Sequence, residues 1–343
     1  MSQGTHLSID AMGGDEGPRL VVTATLAFLK KHPTVSVTLV GDKPRIQQYL
    51  PSSQNPSSLA AVIGRVEIAH VTDCVSMDET ASAALRNRTH SSMWHALELV
   101  ASGRAEACIS AGNTGALMAM GRKLLGTVEG VRRPAICKPI PTTLGTSLML
   151  DLGANINCPA KQLLQFAVMG SALAQINGNR RPKVALLNIG SELSKGSEEV
   201  VSAAQLLKVH PDIHYVGFIE GHEIYSGKVD VIVCDGLIGN VALKVSEGVA
   251  RFVFDSLRLT FTANWLNRLI GWLVQPVLHN WRKDFKPSRY NGAALLGLRR
   301  TVVKSHGGAD IVGFEQALET ALDQVLANIP ERIHACLVAR ANN

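Results

Sequence analysis

Short apolar runs alternate with longer segments of helical periodicity along most of this 343-residue chain. This alternation is typical of a mainly parallel sheet that carries helices on both faces. We predict strands at Leu7–Asp10, Val35–Val40, Val66–Ala69, Ala107–Ser110, Ser147–Asp151, Val184–Asn188, Tyr215–Ile219 and Val229–Cys234. Because no internal repeat or long linker interrupts the pattern, residues 1–343 are expected to form a single α/β unit.

Helices are predicted between the strands from the spacing of apolar residues. The spacing indicates helices over 163–172 and 314–325, each with one apolar face for packing on the sheet. A further helix is expected near 197–207, and Pro18 is expected at the first position of the opening helix.

Composition argues against several classes of protein. With 46% hydrophobic and 18% charged residues the chain can bury a large core, so disorder is not expected. The polar start, Met1 to His6, is not a secretory leader, and the apolar zone 266–278 is interrupted too often to supply the roughly 20 residues that span a bilayer. We therefore expect a cytoplasmic protein without a membrane-spanning helix.

Metal and nucleic acid are not expected as ligands. The six cysteines form no C-x-x-C pair, and no H-E-x-x-H occurs, so the thiols are interpreted as reduced and no metal site is predicted. The net charge of +6 should attract anions, but no basic stripe interleaved with aromatic residues indicates nucleic acid.

Polar loops containing glycine follow five of the predicted strands. They are Asp10–Asp15, Ser110–Gly115, Asp151–Asn155, Asn188–Glu192 and Asp235–Asn240. Ligands of open α/β sheets bind outside the carboxyl ends of the strands, and helix starts favour anions, so we expect the five loops to share one edge and form a cleft for an anion. The alternative is that these residues only make turns and helix caps.

Two lysines stand near these loops. Lys195 follows a strand end, and Lys244 lies one turn into the helix that Asn240 opens, so each could neutralise a phosphate or a polarised carbonyl oxygen. The alternative is an ordinary solvated lysine. The chain contains no G-x-x-x-x-G-K-[ST], and no G-x-G-x-x-G follows the first strand, which disfavours nucleotide triphosphate hydrolysis and dinucleotide binding.

Six segments in register resemble the acyl-acyl carrier protein:phosphate acyltransferase family. They are Asp10–Asp15, Ser110–Met118, Asp151–Asn155, Gly190–Gly196, Asp235–Lys244 and Tyr290–Gly297. Together they run from about residue 7 to 330, and Ser91–Met93 and Arg133–Pro134 also match. One departure is Leu237, where the family pattern has an aromatic residue, which bears on the local shape of the pocket.

The resemblance implies a two-lobed, Rossmann-like fold similar to isocitrate and isopropylmalate dehydrogenases. It implies a homodimer that needs no cofactor and moves a long-chain acyl group, reversibly, from acyl carrier protein to inorganic phosphate. The acyl phosphate would then pass to a membrane glycerol-3-phosphate acyltransferase for phospholipid synthesis.

The resemblance and the loops together predict the site residues. Lys195 is expected to neutralise phosphate or the oxyanion, and Asn240 to donate to the thioester carbonyl. The residues predicted to bind phosphate or substrate are Asp10, Gly13, Gly14, Asn113, Thr114, Gly115, Asp151, Asn155, Asp235, Gly239 and Lys244. Of these, Asp10, Asp151 and Asp235 are expected to orient loops, whereas His90 and His306 are the candidate proton carriers, with a structural role as the alternative for each.

The segment 257–286 differs from the rest of the chain. It holds three of the four tryptophans among leucines, with flanking cations, which is typical of a helix that lies in a membrane interface. The residues expected to contact the membrane are Leu269, Ile270, Trp272 and Leu273, and Pro276 is expected to divide the segment into two shorter helices. A dimer contact or core hairpin is the alternative.

Three other functions remain open on the sequence alone. One is a phosphotransacetylase-like enzyme that uses acyl-coenzyme A, and a second is a metal- and NAD-dependent dehydrogenase of similar fold. The third is a non-catalytic membrane scaffold, which would leave the five polar loops without a role.

Overall fold

A computed structural model describes residues 4–51, 57–175, 178, 181–284 and 287–338, and within them one sheet forms the centre of the molecule. Its strands are β1 His6–Asp10, β2 Ser36–Gly41, β3 Val66–His70, β4 Ala107–Ser110, β5 Ala135–Thr142, β6 Gly145–Leu150, β7 Lys183–Asn188, β8 His214–Glu220, β9 Val231–Val233, β10 Ala293–Leu296 and β11 Thr301–Lys304. The helices are α1 Pro18–Lys31, α2 Lys43–Gln47, α3 Ser57–Ile63, α4 Ala81–Asn87, α5 Ser92–Ala101, α6 Thr114–Leu125, α7 Ala160–Ala174, α8 Glu198–Lys208, α9 Gly236–Thr262, α10 Trp265–Asp284, α11 Ile311–Leu326 and α12 Ile329–Val338.

The sheet is mainly parallel, as predicted. The strand order is β3-β2-β1-β4-β11-β10-β5-β6-β9-β7-β8, and only β10 with β11, β10 with β5 and β5 with β6 pair antiparallel. These pairings reverse the strand direction in the middle of the sheet. The carboxyl ends of β1, β4 and β11 therefore lie at one edge, whereas those of β6, β9 and β7 lie at the opposite edge.

The expectation that all five polar loops share one edge was therefore wrong. Two of the loops follow β1 and β4, and the other three follow β6, β7 and β9 on strands that run the other way. Strand direction depends on pairings between residues far apart in the chain, which local apolar patterns do not encode.

All eight predicted strands are present with small shifts of their ends, and three further strands occur in the described ranges. β5 contains Pro139 and Pro141 beside Lys138, so it lacks a continuous apolar run. β10 and β11 have four residues each. The predicted helices over 163–172, 197–207 and 314–325 correspond to α7, α8 and α11, and Pro18 does open α1.

Apolar side chains on both faces of the sheet form the core. One cluster joins α1 and α11 to β1 and β2 through residues such as Leu7, Phe28 and Phe314. Another joins α7 and α8 to the second half of the sheet through Phe166 and Leu207. Burial of such side chains at about 25 cal/mol per Å² is the main stabilising contribution to a fold of this kind.

The segment 257–286 belongs to two long helices. The helical conformation is interrupted between α9 and α10 at Ala263 and Asn264, where the Asn264 side chain accepts from the Asn267 amide at 2.8 Å. The expectation that Pro276 divides the segment was wrong, because α10 continues through it. Residues 285 and 286 lie outside the described residues. Among the helices described, none combines the length and hydropathy needed to span a membrane.

Candidate functional site

The loop after β1 is organised by the buried carboxylate of Asp10. It accepts from the hydroxyls of Ser92 and Ser110, each at 2.7 Å, and from the Met12 amide at 3.2 Å. Burial raises the pKa of Asp10, and these hydrogen bonds oppose the increase. The carboxylate thereby ties β1, β4 and α5 together.

The loops after β1, β4 and β11 are in close contact. A Cβ at Gly13 would lie 2.5 Å from the Gly112 amide nitrogen, so only glycine fits there. Gly14 has a φ of +86° and packs near the carbonyl oxygen of Gly307. The buried ammonium of Lys304 donates to the carbonyl oxygens of Ala111, at 3.1 Å, and Ser305. Burial lowers the pKa of Lys304 to about 8.

Asn113 is the N-cap of α6, and its side chain is fully engaged. Its Oδ1 accepts from the Ala116 amide at 3.0 Å, and its Nδ2 donates to backbone carbonyls of Ser76, Met77 and Glu79 at 2.8–3.2 Å. The side chain is therefore occupied in holding the 76–79 segment. Thr114 and Gly115 are exposed in the first turn of α6, where amides lack partners within the helix.

The loops after β6 and β9 pack together at the opposite edge. The buried Asp151 accepts from the Asn155 amide at 2.7 Å and from its Nδ2 at 2.9 Å, and also from the Ile136 and Ala154 amides. Burial raises the pKa of Asp151. A Cβ at Gly239 would overlap the carbonyl oxygen of Asp151, so this contact requires glycine.

Asp235 caps α9, the helix that carries Asn240 and Lys244. Its carboxylate accepts from the Leu237 amide at 2.9 Å and the Cys158 amide at 2.7 Å. The Gly239 amide donates to the Asp235 carbonyl at 2.8 Å and so is not free for a ligand. The exposed Asn240 lies against Gly153, with 3.4 Å between its Cβ and a Cβ built on that glycine.

Helix α9 crosses from the edge where β9 ends toward the loop that follows β11. Between α9 and that loop lies a cavity of about 610 Å³. Its lining includes Lys138, Glu247, Phe254, Asn291 and His306. Burial lowers the pKa of Lys138, and the nearby ammonium of Lys244 lowers it further, against the opposing effect of Glu247.

His306 faces an environment rich in cations. Its pKa is lowered by burial and by Lys244, Lys304 and Lys138, and Glu247 opposes the decrease. Its Nδ1 accepts from the Gly308 amide at 3.0 Å, which assigns the hydrogen of the neutral ring to Nε2. A neutral imidazole with a free N–H can donate to an oxyanion.

Lys195 lies apart from this cavity. The loop after β7 is held by Asn188, whose Nδ2 donates to the carbonyls of Gly190 at 3.1 Å and Lys195 at 3.0 Å. The Lys195 side chain is exposed, and none of the contacts found in the described part of the chain joins it to Lys138, Lys244 or His306. His90 is likewise exposed and outside the cavity lining.

Sequence reasoning did not select Lys138, Glu247 or Lys304. Lys304 sits in the run Val-Val-Lys-Ser-His, where a charge inside an apolar burst is the one signal available. Lys138 stands between a cysteine and a proline, and Glu247 stands in a helix of ordinary composition. Neither position therefore carries a sequence signal for a functional residue. Within the described ranges no group of three His, Cys, Asp or Glu side chains is placed to hold a metal ion.

The chain resembles known proteins in both sequence and fold. The model of a family described as "Fatty acid synthesis protein" matches residues 5–332. A "Phosphate acyltransferase" of Teredinibacter turnerae is 58% identical over 337 residues, covering 98% of this chain and 100% of the relative. Another of that name from Saccharophagus degradans is 54% identical over 339 residues, covering 99% and 97%.

Two solved structures of similar fold have names that describe enzymes acting on acyl groups. A phosphotransacetylase from Streptococcus pyogenes aligns with a TM-score of 0.64 at 15% identity, covering 95% of each chain. A branched-chain phosphotransacylase from Enterococcus faecalis aligns at 0.56 and 16% identity, covering 93% of this chain and 99% of that one. At such identities the likeness establishes the fold alone.

Proposed function

The chain belongs to the fatty acid synthesis protein family and, within it, to the phosphate acyltransferases; from this premise we propose that it transfers a long-chain acyl group from acyl carrier protein to inorganic phosphate. It is therefore an acyltransferase. The acyl carrier protein donor and the acyl phosphate product are the parts that we propose.

The observation that carries this proposal is the cavity between α9 and the loop after β11. Lys138 and His306 line it, and Lys244 is close enough to both to lower their pKa values. Two cations of the lining, Lys138 and Arg251, can bind a phosphate, and the carboxylates of Glu247, Asp255 and Asp310 lie beside them. Phe254 and the alanines of the lining suit an apolar acyl chain.

The reaction then needs positioning more than proton abstraction. A phosphate oxygen attacks the thioester carbonyl carbon, and the carbonyl electron pair moves to oxygen. When the intermediate collapses, the new C–O bond remains and the C–S bond breaks. Sulfur leaves with the electron pair as a thiolate. The proton that hydrogen phosphate loses on becoming an acyl phosphate reaches this thiolate through solvent. Holding the reactants in line contributes about 7–11 kcal/mol.

In this scheme Lys138 and Lys244 hold phosphate, and Lys244 exchanges its 3.1 Å ion pair with Glu247 for the ligand. Asn240 and His306 Nε2 donate to the carbonyl oxygen as it becomes negative. A donor placed at an oxyanion contributes about 3–4 kcal/mol to lowering the barrier. The contacts of Asp10, Asp151, Asn155, Asp235, Asn113, Gly13, Gly14 and Gly239 support positioning roles. Thr114 and Gly115, whose first-turn amides lack partners within α6, are proposed as a second phosphate contact.

A homodimer is supported by the surface of α9. Ile238, Val241, Val245, Val249 and Phe252 recur at helical spacing and are 49–72% exposed in the single chain. Such a stripe is too apolar to stay in water without a partner. A Val245→Glu/Val249→Glu variant should sediment as a monomer, and a variant of dimeric mass would contradict the proposal.

Helix α10 supports peripheral attachment of a cytoplasmic enzyme to the membrane. Leu269, Ile270, Trp272 and Leu273 are 43–69% exposed, beside cations. A long-chain acyl phosphate is poorly soluble, so release next to lipid would deliver it to a membrane glycerol-3-phosphate acyltransferase. A Leu269→Glu/Trp272→Glu variant should keep its mass and stop sedimenting with anionic vesicles. Unchanged vesicle binding would contradict the proposed membrane attachment.

The experiment that tests the function follows release of carrier-protein thiol from palmitoyl-acyl carrier protein with and without phosphate. Phosphate-dependent release that palmitoyl-coenzyme A does not match is expected. Equal or faster use of coenzyme A thioesters would favour a phosphotransacetylase-like donor. No release with either donor, from a folded protein, would contradict both.

A further inference from the structure

A cluster of exposed cations lies on the edge of the sheet where β10 ends and β5 and β11 begin. We call it the arginine surface, and its members are Arg122, Lys123, Arg132, Arg133, Arg299 and Arg300. Three separate segments supply them: the last turn of α6, the residues before β5, and the connection between β10 and β11.

Backbone contacts hold these three segments together. The Arg299 amide donates to the Gly126 carbonyl at 3.2 Å, next to the end of α6, and its Nε donates to the Thr127 carbonyl at 2.9 Å. A Cβ built on Gly297 would lie 3.5 Å from the Cα of Pro134, the residue after Arg133. The clustering of the cations is therefore built into the fold and does not depend on side-chain rotamers.

The cations of this surface form no ion pair among the described residues. Among the described residues no carboxylate lies within ion-pair distance of any of the six, although nine ion pairs form elsewhere. Arg299 and Arg300 also line a groove of about 380 Å³ that contains Glu129, Glu331 and His334. Even when the carboxylates of Glu129 and Glu331 are counted, the arginine surface carries more positive than negative charge, which would attract an anionic partner.

A chain of contacts links the arginine surface to the start of α9, the helix whose later turns line the cavity. Asn155 Nδ2 donates to the carbonyl of Pro134 at 2.8 Å, and Asn155 also binds the Asp151 carboxylate. The Asp151 carbonyl in turn packs against Gly239, the residue before Asn240. A partner seated on this surface would stand beside the end of α9 that carries the proposed oxyanion donor.

The chemistry of the surface favours an acidic protein over other polyanions. A lipid surface binds cations together with large apolar side chains, yet none of the exposed large hydrophobic residues falls within 122–134 or 297–300. Nucleic acid sites add aromatic side chains for stacking, and these segments contain none. Charge complementarity with an acidic protein remains.

We propose that the acyl carrier protein docks on the arginine surface while its acyl thioester enters the cavity beside α9. The proposal rests on the function proposed above, because it assumes that an acidic carrier protein delivers the acyl group. Charged groups at the rim of such an interface mainly accelerate encounter and set orientation, so their effect falls as salt is added.

The test is charge reversal at two members whose side chains make no described hydrogen bond. An Arg132→Glu/Arg300→Glu variant is compared with Lys43→Glu/Arg45→Glu, which makes the same change in net charge on α2 at the other edge of the sheet. We expect the first variant to raise KM for palmitoyl-acyl carrier protein at least about tenfold at low salt, with kcat and the KM for phosphate within about twofold. The control should stay within about twofold of the parent in all three.

Several outcomes would overturn the proposal. An unchanged KM for the carrier substrate, or an equal rise in the control, would move docking elsewhere. If the reversed variant unfolds, Arg132→Gln/Arg300→Gln must still weaken binding of fluorescent palmitoyl-acyl carrier protein, and unaltered binding refutes the surface. If the parent turns over palmitoyl-acyl carrier protein and both variants match it, only the docking surface is contradicted. If the parent neither binds nor turns over palmitoyl-acyl carrier protein, the proposed function is contradicted as well.

Discussion

Three aspartates at strand ends illustrate how single residues set up this molecule. Asp10, Asp151 and Asp235 each accept hydrogen bonds from backbone amides of their own loops and from amides or hydroxyls of neighbouring segments. Buried carboxylates are costly unless such donors surround them. These contacts fit the expectation that the aspartates orient loops and leave the chemistry to Asn240, His306 and the lysines.

Asn240 gives the first prediction. Asn240→Ala removes the amide proposed to donate to the developing oxyanion, so kcat should fall at least about 100-fold. Because Asn240 is exposed, the melting temperature should change little. Steady-state turnover of palmitoyl-acyl carrier protein beside a thermal melt measures both. A rate within about threefold of the parent would remove Asn240 from the mechanism.

Lys195 gives a second prediction. The sequence predicts a catalytic lysine here, and the single chain holds it on the loop after β7, away from the cavity. If a second copy or loop closure brings it to phosphate, Lys195→Ala should lower kcat at least about tenfold. Turnover at the parent rate would mean that the Gly190–Gly196 motif serves only to shape its loop.

Lys304 predicts a pH dependence of stability. Burial lowers its pKa from 10.5 to about 8, so between these values the unfolded chain binds a proton that the folded chain has released. Stability should therefore rise with pH across this window, and below about pH 8 the penalty for burying the ammonium is present in full. Relative to Lys304→Met, the parent should gain about 2 kcal/mol between pH 7.5 and 10.

Urea unfolding of both proteins at the two pH values measures this difference, since other titrating groups cancel in the comparison. A constant difference between parent and Lys304→Met would show that the ammonium is not desolvated.

The sequence selects candidate residues that stand in motifs, and it does not select isolated ones. Asn240 and Lys244 stand in a long recognisable segment, so the sequence alone assigned them to a site. Lys138 and Lys304 are single lysines inside strands, and their importance depends on the cavity and loops that the fold places around them.

At the scale of elements, the strand ends and helix faces followed from the sequence while strand direction did not. Apolar runs predict β1, β4 and β7, and the helical spacing of Phe314, Ala317, Leu318 and Ala321 predicts α11. The reversal at β10 and β5 rests on pairings such as Leu295 with Ile136, which no local pattern signals. That reversal divides the polar loops between two edges, and α9 bridges them.

The start of α9 gives a prediction with a control in the same helix. At Gly239 an added Cβ would overlap the Asp151 carbonyl, so Gly239→Ala should push α9 from β6 and cost about 2 kcal/mol or more of stability. A Cβ at Gly248 meets nothing within 4 Å, so Gly248→Ala should stabilise the protein by about 0.5–1 kcal/mol. Denaturant unfolding of the two variants checks this, and equal effects would mean that the contact is not tight.

At the scale of the whole molecule, one continuous sheet joins the loops of the candidate site to the surfaces that we propose as partner contacts. The cavity is lined from the strands in the middle of the sheet order, α9 carries both one wall of the cavity and the apolar stripe, and the arginine surface occupies one edge. The net charge of +6 is therefore distributed unevenly, with unpaired cations beside the site where anions are proposed to react.

The most direct test of this account is the KM for phosphate in a Lys138→Met variant. Lys138 lines the cavity but lies outside every recognised motif, so its effect reports on the place of phosphate binding. We expect the KM for phosphate to rise at least about tenfold, which is about 1.4 kcal/mol, while the KM for palmitoyl-acyl carrier protein and the properties of the exposed Lys208→Met control stay unchanged. An unaltered KM for phosphate in a folded Lys138→Met protein would contradict the assignment of this cavity as the site of the reaction.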